Sequence, residues 1–220
     1  INIEWFDGCV EQSAYDNDPK KAPTMMFLMT GTFQGDARVN INYPMTMIGA
    51  GQNKTFLSDC SLMIQGTTVE KSSKRVVLKD FTISKAIKDS GLFTTSRSKH
   101  SCLLFLCDSM TFTQCGGFGV YAENTKGRLI NCVITQCGDS GIFCDSNALI
   151  ELEGDQTKVD GNGTGGGSFH YGLNIRLQTF DTKSRIHLLF PLTKESVSTN
   201  NHNGQNYNNC RGTIETVDSF

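Results

Sequence analysis

Four side chains have types suited to acid–base chemistry: Glu123, Asp139, Asp145 and His170. Hydrolysis of a glycosidic bond uses two carboxylates, one on either side of the bond and about 5 to 9 Å apart. Asp145 follows Glu123 by 22 residues, and in a chain that repeats at that period the two fall at corresponding places. Asp139 has Gly117 as its counterpart one period earlier, so it has no carboxylate to pair with. Two solvated turn carboxylates are the plainer reading of Glu123 and Asp145, and it is preferred here. His100, His170, His187 and His202 lack the spacing of a metal-ligand set and read as surface or loop groups. No metal site or cofactor motif is expected.

Nine cysteines form no Cys-x-x-Cys pair: Cys9, Cys60, Cys102, Cys107, Cys115, Cys132, Cys137, Cys144 and Cys210. Cys115 and Cys137 are again 22 residues apart, which would stack them as small buried groups. A reduced packing role is preferred, with a bridge between adjacent coils or a metal site as the alternatives. Unpaired cysteines tilt the compartment towards an intracellular one. The sequons Asn53-Lys54-Thr55 and Asn162-Gly163-Thr164 would count only in a secreted chain. The stretch Ile48 to Thr55, "IGAGQNKT", is not a phosphate loop, because Ile48 and Asn53 stand where that loop needs its two glycines.

The elements that must position these groups repeat. "TQCGGFGVY" at 113–121 returns as "TQCGDSGIF" at 135–143. Asp80 to Ser84, Ser109 to Thr113 and Asn131 to Thr135 all read small polar, apolar, variable, apolar, hydroxyl. Each is followed by a glycine, an aliphatic residue and an aromatic: Gly91-Leu92-Phe93, Gly119-Val120-Tyr121 and Gly141-Ile142-Phe143. A degenerate fourth copy pairs Thr157-Lys158-Val159 with Gly172-Leu173-Asn174. The apolar residues alternate with the period of a strand, and a unit this short is a coil of a strand solenoid. Two short strands per unit are expected. Alternation that points Leu92, Val120 and Ile142 inward sends Phe93, Tyr121 and Phe143 outward in one column, which Tyr171 could extend. Such a column marks a binding site for sugar rings or a partner protein, or else lies under another segment.

Composition agrees. The chain has 220 residues, 22 glycines and a net charge of −2 from 20 basic and 22 acidic side chains, with no dense basic run. Nucleic acid and membrane are therefore not expected partners. No run approaches the ~18 apolar residues of a membrane-spanning helix. Residues 1–23 are polar and aperiodic and are expected to cap the open end, with Trp5 and Phe6 as the apolar plug. Coils are expected over 24–190, with the glycine-rich 160–172 as a loop budding from one of them. Residues 191–220 are expected as a loop and a last strand.

In 24–57, "TMMFLMTGTFQGDARVNINYPMTMIGAGQNKTFL", Gly31-Thr32-Phe33 forms a Gly-x-aromatic turn. It is followed by the phrase Pro44-Met45-Thr46-Met47-Ile48-Gly49-Ala50-Gly51 and then Thr55. With the later repeats, this resembles the right-handed parallel β-helix proteins of the pectate-lyase-like superfamily over about residues 24 to 175. The resemblance implies an all-β, right-handed, single-stranded parallel β-helix. It implies less about function, since that superfamily includes lyases, hydrolases, esterases, tail spikes and non-enzymatic interaction domains.

The catalytic sets of its enzymes are not found in this sequence. There is no Asp-Asp dipeptide, His170 lies between Phe169 and Tyr171 rather than glycines, and Ser184-Arg185-Ile186-His187 ends in His where the hydrolases have Lys. The expectation is a non-catalytic structural or interaction domain that presents a face to a polysaccharide or protein through Phe93, Tyr121, Phe143 and Tyr171. The alternative is a lyase or glycoside hydrolase with a non-standard site around Glu123, Asp139, Asp145 and His170.

Overall fold

A computed structural model describes residues 23–66, 75–86, 90–96, 105–176, 183–210 and 212–218. The expected cap residues Trp5 and Phe6, together with Cys9, His100 and Cys102, lie outside these. Within them the chain is a right-handed parallel β-helix with three sheets. The first sheet holds β1 (Met25–Phe27), β4 (Thr46–Ile48), β7 (Val76–Lys79), β10 (Phe105–Asp108), β13 (Lys126–Ile130), β16 (Leu149–Glu153), β19 (Arg185–Leu189) and β22 (Thr213–Val217). The second holds β2 (Gly31–Gln34), β5 (Thr55–Ser58), β8 (Thr82–Ser84), β11 (Thr111–Thr113), β14 (Val133–Thr135), β17 (Lys158–Asp160) and β20 (Ser198–Thr199). The third holds β3 (Arg38–Ile41), β6 (Ser61–Gly66), β9 (Leu92–Ser96), β12 (Val120–Glu123), β15 (Ile142–Asp145), β18 (Leu173–Ile175) and β21 (Tyr207–Asn208).

Each coil therefore has three strands, one per sheet, rather than two. The strand missing from the two-strand unit is that of the first sheet. There the outward residue can be apolar, as in Phe105-Leu106-Cys107, and the alternation that marks a half-buried strand is blurred. The repeated segments stack as their spacing requires. Ile83, Phe112 and Ile134 are register partners, as are Leu92, Val120 and Ile142. The degenerate copy is in register too, with Lys158 beside Val133 and Leu173 beside Ile142. Residues 191–220 do more than end the chain, since β20, β21 and β22 extend all three sheets. A single helical turn, α1 (Lys194–Val197), leads into β20.

The core is the column of inward residues. Leu57, Ile83, Phe112, Ile134 and Val159 form one fully buried row under the second sheet. The chain turns between sheets on single residues in the left-handed region. Asp80, Ser109 and Asn131 do so between the first and second sheets, with φ of 59°, 53° and 50°. Asp59, Lys85, Gln114, Gln136, Gly161 and Asn200 do so between the second and third. The small polar residue that opens each repeat is thus the corner, where short polar side chains tolerate this backbone.

The residue after each second corner points into the core and stacks with its counterparts: Cys60, Ala86, Cys115, Cys137, Asn162 and Asn201, all buried. Asn162 Oδ1 accepts the Cys137 N–H at 3.1 Å, and its Nδ2 donates to Ile134 O at 3.0 Å. Asn201 repeats the arrangement one coil on, its Oδ1 accepting the Asn162 N–H at 3.0 Å. The recurring glycine exists to make room for this stack. A Cβ on Gly91 would lie 2.9 Å from Cys115 Sγ, and one on Gly141 2.8 Å from Asn162 Nδ2, each in the following coil. On Gly119 it would meet Ile134 Cγ2 at 2.3 Å. The repeated phrase therefore spells a corner, an inward stack residue, and a glycine that accepts the next one.

Candidate functional site

Strands β9, β12 and β15 run in register, so alternation sets two outward rows on the third sheet. Phe93, Tyr121 and Phe143 form one; Thr95, Glu123 and Asp145 form the other. Ring centroids are 4.9 Å apart for Phe93 and Tyr121 and 5.0 Å for Tyr121 and Phe143. A fourth ring joins them. Phe118 stacks on Phe143 at 4.7 Å with planes 25° apart, and meets the edge of Tyr121 at 5.4 Å. Its main chain is fixed by the ladder, because Phe118 O accepts the Gly91 N–H at 2.9 Å. Phe143 is 7% exposed under this packing, while Phe93, Phe118 and Tyr121 remain half-buried and reach the surface.

Tyr171 is placed by its backbone, its N–H donating to Ser140 Oγ at 3.0 Å and its carbonyl accepting the Gly141 N–H at 3.0 Å. The outward column continues past Phe143 as Asn174 and Asn208, joined by a 3.0 Å side-chain hydrogen bond. Phe118 is not marked by the repeat, because the place before the glycine is Ser90 in the preceding coil and Ser140 in the next. The inward asparagines were missed as well, although a polar residue directly after a left-handed corner in successive coils was a signal for them.

Glu123 and Asp145 are register partners, as their spacing suggested. Strand neighbours in a sheet are ~4.8 Å apart, so the two carboxylates stack on one face rather than flanking a cleft. Thr95 Oγ1 donates to Glu123 Oε2 at 3.1 Å. Asp145 is fully buried, and its Oδ1 accepts the Ser146 N–H at 2.7 Å. Burial, and then the charges of Glu123 and Asp145, push the Tyr121 hydroxyl up to about 12. The aromatic row thus runs beside a row that holds two carboxyl groups.

The other two catalytic candidates also come together, in a separate place. His170 Nε2 lies 3.0 Å from Asp139 Oδ1, and His170 Nδ1 accepts the Gly167 N–H at 3.2 Å. An imidazole that accepts at Nδ1 carries its proton on Nε2 and donates it to Asp139. Both ring nitrogens are then engaged. The glycine-rich 160–172 segment wraps the ring closely, since a Cβ on Gly167 would lie 2.3 Å from His170 Cε1. His187 Nε2 lies 3.5 Å from Glu215 Oε1 on the first sheet, and His202 Nε2 contacts Asn203 Nδ2 at 2.8 Å.

Seven cysteines are described and all are free, six of them buried and Cys210 exposed. Burial pushes the Cys60 and Cys132 thiols up to about 12 and raises those of Cys107 and Cys144 as well. Among the described residues, no group of three or more His, Cys, Asp or Glu is arranged to hold a metal ion. No helix among them is long and apolar enough to cross a membrane. No protein-family model, curated protein or solved structure matches this chain.

Proposed function

We propose that the protein is a non-catalytic interaction domain that binds an extended polysaccharide along the outward face of its third sheet. The observation that carries this reading is the pair of outward rows, Phe93–Tyr121–Phe143 and Thr95–Glu123–Asp145, which advance together by one strand per coil. A surface that repeats along an axis is matched by a ligand that repeats along its own. Aromatic rings beside the Thr95 hydroxyl and the half-buried Glu123 carboxyl supply what a sugar chain needs, apolar contact for its C–H faces and acceptors for its hydroxyls. The resemblance of residues 24 to 175 to the pectate-lyase-like superfamily points to the same ligand class.

The geometry favours catalysis less. Both ring nitrogens of His170 are held by partners within the protein, and Glu123 and Asp145 do not face each other across a bond. The test is a glycan-array screen of the purified protein beside Tyr121→Ala, with bound glycans analysed for cleavage. Binding that is lost in Tyr121→Ala, with glycans intact, is the expected result. Cleaved glycans would restore the enzyme reading. A protein partner retained where no glycan binds would replace the polysaccharide.

A further inference from the structure

The inward stack Cys60, Ala86, Cys115, Cys137, Asn162 and Asn201 holds one pair of thiols at matching places in adjacent coils, Cys115 and Cys137. Ala86 separates Cys60 from Cys115. The other buried cysteines have no such neighbour. Cys107 has Leu78 and Leu129 as register partners, and Cys144 has Ala122 and Ile175. Cys132 follows a first corner, where Met110 stands one coil earlier.

Ladder contacts on both sides hold Cys115 and Cys137 at strand spacing. Thr113 and Thr135 are register partners, Gly138 N–H donates to Cys115 O at 2.7 Å, and Asp139 N–H donates to Gly117 O at 3.1 Å. Neighbouring strands lie about 4.8 Å apart, inside the range of about 4.4 to 6.8 Å between the Cα atoms of a disulfide. The two thiols enter the core alike. A Cβ on Gly91 would lie 2.9 Å from Cys115 Sγ, and one on Gly119 3.3 Å from Cys137 Sγ. Each thiol has only a distant backbone acceptor, Thr113 O at 3.8 Å and Thr135 O at 3.6 Å, to give up on turning towards the other. The hydrogen bond between the thiols holds Cys115 below the ordinary thiol range and pushes Cys137 above it. Cys115 is thus the better nucleophile of the two.

We propose that Cys115 and Cys137 are a redox pair, which hydrogen peroxide converts into a disulfide that staples the fourth coil to the fifth. The Cys115 thiolate attacks one peroxide oxygen; the O–O bond breaks, the sulfur becomes a sulfenic acid and the other oxygen leaves as hydroxide. Cys137 Sγ then attacks Cys115 Sγ, the S–O bond breaks, and the second oxygen leaves as hydroxide. Both hydroxides take up the protons of the two thiols. Two thiols and one peroxide give one disulfide and two waters, and the two electrons lost by sulfur are those gained by peroxide. Burial selects the oxidant: peroxide is close to water in size and enters when the coil opens locally, whereas a bulky disulfide does not. This chemistry does not depend on the third-sheet face.

The test treats the whole chain with hydrogen peroxide or with oxidised glutathione, then unfolds, alkylates and digests it without reductant and maps linked peptides by fragmentation. Peroxide is expected to give a Cys115–Cys137 link that dithiothreitol reverses. Oxidised glutathione should modify Cys210 alone among the described cysteines, since it is the exposed one. Cys115→Ala should abolish the link and still fold, because Ala86 fills the same place one coil earlier. The linked chain should unfold at higher urea than the reduced chain, since a closed loop of 22 residues restricts the unfolded state. Both thiols remaining alkylatable after peroxide would overturn the redox pair, as would sulfinic acid at Cys115 without a link or a main product linking other cysteines. A urea midpoint that fails to rise in the linked chain would overturn the staple.

Discussion

Asn162 lends its side-chain oxygen to the backbone amide of Cys137 in the preceding coil, 3.1 Å away, from inside the core. Asn201 does the same for Asn162 one coil further on. Stripping this side chain strands polar atoms where water cannot reach them, at about 1 to 3 kcal/mol for each group left unsatisfied. Asn162→Ala is therefore expected to lose roughly 2 to 4 kcal/mol in urea denaturation. A loss under about 0.5 kcal/mol, the size of an ordinary surface change, would mean that the stack is ornamental.

Gly119→Ala tests the space left for the stack. The new methyl would lie 2.3 Å from Ile134 Cγ2 and 2.7 Å from Gly141 O, with core on all sides. Overpacking of this kind costs about 1 to 3 kcal/mol. Gly166→Ala is the comparison: nothing lies within 4 Å there, and only its φ of 78° opposes a side chain, a cost of order 1 kcal/mol. Thermal melts should rank Gly119→Ala as the more damaging of the two.

Alkaline pH should weaken the fold well before it affects ordinary surface groups. The folded thiols of Cys60 and Cys132 ionise near 12 against 9.0 for the free side chain, and Tyr121 near 12 against 10.0. Acids whose folded values are raised hold their protons more tightly in the native state. Their stabilisation is complete below pH 9 and is lost as pH rises from there through about 12. Urea midpoints should be level up to about pH 8.5 and fall steadily from about pH 9 to about pH 10.5. A flat profile would mean that the buried thiols are reached by water.

The charged ladder on the first sheet should matter little. Arg128 meets Glu151 at 2.7 Å and Glu153 at 3.2 Å, but its side chain is 44% exposed. Exposed pairs contribute about 0 to 1 kcal/mol, so Arg128→Ala should shift the urea midpoint slightly, and less in high salt. A loss as large as that of Asn162→Ala would contradict the view that the core, and not the surface charge, holds the coils together.

The parts of the fold that were legible in sequence were those that repeat with a clean alternation. The Gly91, Gly119 and Gly141 phrases lie in register to the residue, because one misplaced residue would turn every side chain of the strand over. The pairing of Glu123 with Asp145 followed from the same period. Contacts made by irregular segments were not legible. The approach of His170 to Asp139 depends on how a loop of glycines folds, and Phe118 reaches Phe143 from a corner that has no aromatic counterpart in the next coil. Burial of Asp145 was equally hidden, since alternation alone sends it outward to solvent.

Coils four and five are the tightest pair in the molecule. Leu106 and Arg128, Phe112 and Ile134, and Val120 and Ile142 are partners in the three sheets, and each pair is 22 residues apart. Only the pairing of Met25 with Thr46 is shorter, at 21 residues, but the other strands of those coils are 24 and 23 apart, and the excursion reaches 39 residues between Val159 and Ser198. Closing a chain loop costs entropy that grows with its length, and a solenoid can begin folding anywhere and spread by neighbours. The segment that writes the same phrase twice is thus the cheapest place for the first two turns to find each other. Folding would nucleate there and wind outward in both directions, reaching the long C-terminal excursions last.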